Sequence, residues 1–157
     1  SHGCSRIHGV REEQYYDWRF DDPYLNDTTY VAERDGTPVS SAVVETRTDD
    51  GVTVKRVVDV LPLTGGDEGA FGSVVAAVLR DDPDADYLSI LSPPPFGRSV
   101  VTGYGFHDDG SFPLSAFTSP TRFVVRPGPG TSARFGGRDL SDWSNWRLAY
   151  GDMANIF

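Results

Sequence analysis

The chain has 157 residues and a formal charge of -9, from 23 acidic and 14 basic side chains. That length suits one domain, the acidic balance without a basic stripe excludes a nucleic-acid partner, and a single cysteine, Cys4, excludes an internal disulfide and fits a reducing cytoplasm. No apolar run approaches the roughly 18 residues of a membrane span, so neither a membrane partner nor secretion is expected.

The charge is also unusual in kind: 18 of the acids are Asp, and Lys55 is the one lysine beside 13 arginines. A dense, hydrated acidic surface resists salting-out and has its self-repulsion screened in concentrated salt. The composition therefore predicts a halophilic, cytoplasmic protein.

Residues 1–10 are polar and read as a disordered lead-in or one left by cloning. A helix is predicted from about 11 to 20, with Tyr15, Tyr16 and Trp18 as core aromatics. Strands follow at 29–35, 38–47 and 51–61. Asp35-Gly36 and Asp50-Gly51 separate them, and Asp-Gly between alternating apolar runs is a strong hairpin signal, so the three strands pair antiparallel. After Pro62 and a glycine-rich turn, Phe71, Val74, Val75, Val78 and Leu79 recur at the spacing of an amphipathic helix over 68–80. A strand at 86–92, a helix at 97–104 and two strands near 111–118 and 121–126 complete the domain. The expected fold is α/β, or more exactly described α+β: a mixed, mostly antiparallel twisted sheet of about six strands with helices on both faces. Residues 127–157 form a proline- and glycine-rich connector and a tail holding Trp143 and Trp146, expected to pack on the domain.

The order strand, glycine turn, helix, strand, helix, closing on Gly105-Phe106, resembles the GNAT superfamily, the N-acetyltransferase-like fold. The segment Glu13 to Pro23, with Trp18-Arg19, and the tail with Trp146-Arg147 and Gly151-Asp152 are similar to parts of tandem members of that superfamily. The resemblance spans roughly residues 11–126 and points to the second of two acetyltransferase-like domains. It implies acetyl-CoA as cofactor, held by backbone groups of Val60, Leu61, Gly65, Gly66 and Gly69, since N–H groups at a helix N-terminus cradle a pyrophosphate.

Three positions depart from the family pattern. Gly66 stands where the turn carries Arg or Gln, Phe71 stands where it ends in a small residue, and Val101 stands where many members have a proton-donating tyrosine. Asp67 and Glu68 place carboxylates where a polyanion would approach, although acids in a first helical turn also complement the helix dipole. Asp59, an acid between valines, is the candidate general base; its alternative is a structural acid paired with Arg56 or Arg98.

No metal is expected. Asp82-Pro83-Asp84-Ala85-Asp86 has alternating acids but lacks the glycine and distal acid of a calcium loop, and His107-Asp108-Asp109-Gly110 reads as a turn. Pro93-Pro94-Pro95 reads as a rigid loop. Two functions stay open. One is a degenerate acetyltransferase-like domain, the non-catalytic half of a larger acetyltransferase whose partner is an upstream acetyltransferase-like domain or a second copy of the chain. The other is an active acyl-CoA-dependent N-acyltransferase acting on an amine.

Overall fold

The structure is a computed structural model that describes residues 6, 8–9, 11–20, 26–63, 65–81, 85–91, 93–118 and 134–152. It is mixed α+β and divides into two compact units. The larger, Gly9–Gly105 with Leu148–Phe157, holds helix α1 (Glu13–Phe20), strands β1 (Asp27–Arg34), β2 (Thr37–Asp49) and β3 (Val52–Leu61), helix α2 (Glu68–Asp81), strand β4 (Tyr87–Ile90) and helix α3 (Arg98–Gly103).

The four strands form one sheet in the order β1-β2-β3-β4, with the first three antiparallel and β4 parallel to β3. Both predicted hairpin turns form. Asp35 and Gly36 have φ of 52° and 73°, and Asp50 and Gly51 have 48° and 80°, the paired left-handed conformation that matches strand twist and that Asp-Gly tolerates. The β2/β3 register pairs Val43 with Asp59 but Val44 with Val57, so Val58 is an extra residue in β3. The parallel pairing runs only from Val54/Tyr87 to Val57/Ile90, and β3 continues beyond its partner to Leu61.

Successive strand residues face opposite ways. Ala42, Val44, Val57 and Val60 are buried together with Ala70, Phe71, Val74, Val75 and Val78 of α2, which packs on β1 and β2. Leu79, the last member of the predicted stripe, is 40 % exposed instead. The opposite face carries Thr29, Ser41, Val43 and Asp59, and it is met by Tyr16 and Phe20 of α1. Trp18 is 76 % exposed, which corrects its assignment to the core: α1 turns Tyr15, Tyr16 and Phe20 into a ring cluster, and Trp18 falls on the outer side.

The smaller unit, Ser1–His8 with Phe106–Arg147, has a different character. The strand expected at 111–118 is instead a set of turns around a single 3-10 turn at Leu114–Ala116. Pro113 lacks an amide hydrogen and has a helical backbone, so the segment closes locally, with Phe117 N–H donating to Leu114 O at 2.8 Å. The expected strand at 121–126 lies outside the described residues. Strands β5 (Arg134–Phe135) and β6 (Arg138–Asp139) form a hairpin through Gly136 and Gly137. Among the described residues the main sheet thus has four strands rather than about six. Trp146 belongs to this unit and donates its indole N–H to Leu140 O at 3.0 Å, while residues 148–152 belong to the larger one. No described helix is long and apolar enough to cross a membrane.

Candidate functional site

Asp59 sits one residue past the extra residue of β3 and is 1 % exposed. A carboxylate that deep must be paired and hydrogen-bonded, and three donors converge on it. Arg11 Nε lies 2.6 Å from Oδ2, Tyr16 donates its hydroxyl to the same oxygen at 3.3 Å, and the Val60 N–H donates to Oδ1 at 3.0 Å. The partner is therefore Arg11, and neither Arg56 nor Arg98 fills that role. Arg11 also donates from its two terminal nitrogens to Asp152, at 2.7 and 2.9 Å, and Asp152 in turn accepts the Ala149 N–H at 2.9 Å. One guanidinium thus ties the segment before α1, the sheet and the 148–152 tail together, and Arg56 adds a cation–π contact 5.8 Å from the Tyr150 ring.

The electrostatics follow from burial. Desolvation raises the Asp59 carboxyl above the ordinary carboxylate range, against the opposing pull of Arg11 and the Val60 N–H. Burial would lower the Arg11 pKa, but its hydrogen bonds to Asp152 and Asp59 outweigh that and raise it. Burial pushes the Tyr15 hydroxyl up to about 12, with Asp59 adding to the effect, and raises Tyr16 for the same two reasons. Both Asp59 oxygens already accept hydrogen bonds, and Arg11 is held at 2.6 Å, so the geometry gives Asp59 a structural job first.

Next to this network the sheet and α1 line a half-open cleft of about 470 Å³. Its wall from α1 is Tyr16 and Phe20, stacked with centroids 5.9 Å apart and planes at 22°. The sheet contributes Asp27, Thr29, Ser41 and Val43, with Asp59 and Leu61 from β3. Asp27 Oδ2 is shielded from solvent and has no hydrogen-bond partner among the described residues. Burial raises the Asp27 pKa, Glu45 raises it further, and Arg19 offsets part of that.

The glycine turn is built differently. Gly65 takes a left-handed φ of 69°. Asp67 then caps α2: its Oδ1 accepts the Ala70 N–H at 2.7 Å, and its backbone O accepts the Phe71 N–H at 3.0 Å. Arg34 holds the other carboxylate oxygen at 3.0 Å, and the Ala70 N–H followed by Arg34 keeps the Asp67 carboxyl below its ordinary pKa. The Phe96 ring covers Gly66 so closely that a Cβ there would lie 2.2 Å from it. Phe96 is itself held edge-on against Phe71 at 6.0 Å. Thr64 lies outside the described residues.

No protein family, curated protein or solved structure matches this chain.

Of the residues singled out in the sequence, Asp59 and Leu61 line the cleft, and Val60 supports it by donating to Asp59. Gly65, Gly66 and Gly69 lie at the α2 turn and do not join them. Val101 is 6 % exposed and packs as core. At the His107 turn, Asp108 Oδ1 accepts the Gly110 N–H at 2.9 Å, and no group of three metal-ligating side chains occurs among the described residues. The alternating acids at 82–86 lie partly outside the described residues. Nothing in the sequence gives Arg11, Asp27 or Asp152 a place in a site. Arg11 stands beside Glu12 and Glu13 with nothing local to mark it, and Asp152 is 141 positions away.

Proposed function

We propose that this chain is an acetyltransferase-like module whose acyl-CoA turn is closed by its own side chains, and that it serves as the non-catalytic half of a larger acetyltransferase. The resemblance supplies the fold expectation, and the element order β1-β2-β3-α2-β4-α3, with β4 parallel to β3, is consistent with it.

The observation that carries the reading is the occupation of the α2 N-terminus. A pyrophosphate would need the free N–H groups of that turn. Here the Ala70 N–H is taken by Asp67, whose negative charge sits in the anion's place, and Phe96 fills the space above Gly66. The Val60 N–H, on which backbone recognition of the cofactor would draw, is taken by Asp59. With Val101 buried in the core, no hydroxyl stands at that position to protonate a thiolate. The module's partner is then an upstream acetyltransferase-like domain or a second copy of the chain, and its acidic composition suits a halophilic, cytoplasmic setting.

The alternative, an active N-acyltransferase with Asp59 as base, would draw on one feature: β3 runs on to Leu61 after its pairing with β4 ends at Val57/Ile90, so its last residues have no strand partner on that side among the described residues. Calorimetric titration of acetyl-CoA in multimolar KCl, with dephospho-CoA as control, separates the two. The module reading expects no saturable heat and no thermal shift. A saturable isotherm reverses it in favour of the acyltransferase.

A further inference from the structure

The α1 cleft lies on the face of the sheet opposite α2, so it goes beyond the reading of the α2 turn. We propose that this cleft binds a small organic cation that carries N–H donors on a short apolar body, of the alkylammonium or alkylguanidinium class.

Its size, about 470 Å³, falls within the range of small-molecule sites. Its polar demand is for a donor. Asp27 Oδ2 is withdrawn from water and accepts nothing among the described residues, a costly state for a carboxylate oxygen. Asp59, the other acid of the cleft, is committed to Arg11, Tyr16 and Val60, which leaves Asp27 as the open acceptor. Burial and Glu45 hold the Asp27 pKa up even though Arg19 is near, so the charge there is under-compensated and a ligand cation relieves it.

The remaining lining fixes the rest of the ligand. Tyr16 and Phe20 form an aromatic wall, which favours a cation over an anion. Val43 and Leu61 offer apolar surface to a short carbon chain, and Thr29 adds a hydroxyl. An anion would face two carboxylates. A cation without N–H groups would leave Asp27 Oδ2 unbonded.

The test is a chemical-shift titration of the intact chain at fixed KCl with three probes: butylammonium, butyrate as its charge-reversed counterpart, and tetramethylammonium as a cation without donors. The expected result is saturable shifts at Thr29, Val43 and Leu61 with butylammonium in the millimolar range, weaker ones with tetramethylammonium, and none with butyrate. Asp27→Asn should weaken butylammonium by about tenfold or more, as expected for loss of a charge-assisted hydrogen bond. Val43→Phe, which fills the cleft, should abolish the shifts. Equal response to butyrate and butylammonium overturns the proposal, as does the absence of saturation with any probe, or an unchanged affinity in Asp27→Asn. The wild-type probe comparison decides the matter even where a variant does not fold. An acetyl-CoA titration of either sign leaves these outcomes untouched, because Asp27 and Val43 are not part of the α2 turn.

Discussion

Arg11 and Asp59 are 48 positions apart and form a 2.6 Å ion pair in which the two side chains are 4 % and 1 % exposed. The same guanidinium holds Asp152, so a single side chain serves two carboxylates from distant parts of the chain. Removing one member of such a buried set leaves an uncompensated charge, whereas removing the set leaves none.

Arg11→Met should therefore destabilise the larger unit by about 3–5 kcal/mol. The combined variant Arg11→Met with Asp59→Leu and Asp152→Leu should lose less than Arg11→Met alone. Urea denaturation of the three proteins at constant salt measures both. Equal losses would mean that the charge network is not what holds these segments.

Asp27 gives a prediction of opposite sign. Its pKa is raised from an ordinary value of 3.8 by burial and by Glu45, so ionising it costs stability. The folded state holds the proton more tightly than the unfolded chain, and wild-type stability falls as pH rises from about 3.8 through the higher folded value. Asp27→Asn should thus be more stable than wild type at neutral pH, with the gain shrinking as the pH is lowered through that window. Denaturation midpoints across a pH series check it, and a gain that does not depend on pH would show that desolvation of the charge is not its cause.

Asp67 works the other way round. Its carboxyl is held below 3.8 by the Ala70 N–H and by Arg34, so its contribution is present above 3.8 and is lost as pH falls through the lowered folded value. Asp67→Ala should lower the melting temperature at neutral pH, while Asp67→Asn, which can still cap the helix, should lower it less. The gap between Asp67→Asn and wild type should close in acid. Thermal melts of the three proteins at neutral and acidic pH make the comparison.

Gly66 is small because of Phe96. A Cβ there would meet the Phe96 ring at 2.2, 2.6 and 2.7 Å, and Gly66→Ala should cost about 1–3 kcal/mol from overpacking. Phe96→Leu should recover part of that cost, giving a favourable coupling in a double-mutant cycle. Additive effects would remove the contact as the explanation for a glycine at this position.

Much of the larger unit was legible in the sequence because its signals are local. The Asp-Gly pairs at 35–36 and 50–51 mark their own turns through backbone conformation, and the spacing Phe71, Val74, Val75, Val78 marks the buried stripe of α2. Periodicity failed where a local group overrode it. Pro113 turned an alternating segment into turns, and Leu79 lay at the edge of its stripe.

The sequence by itself determined which segments became helix and strand in the larger unit, since periodicity, turn chemistry and β-branched runs act over a few residues. It also singled out Asp59 as an acid in an apolar strand. Only the tertiary structure decided what that acid does, because its partner depends on where Arg11 and Asp152 are carried by the fold, and they stand 141 positions apart. The same holds for Phe96 over Gly66, and for the unbonded Asp27 oxygen in the α1 cleft. Burial and pairing are properties of packed space, and no spacing along the chain encodes them singly.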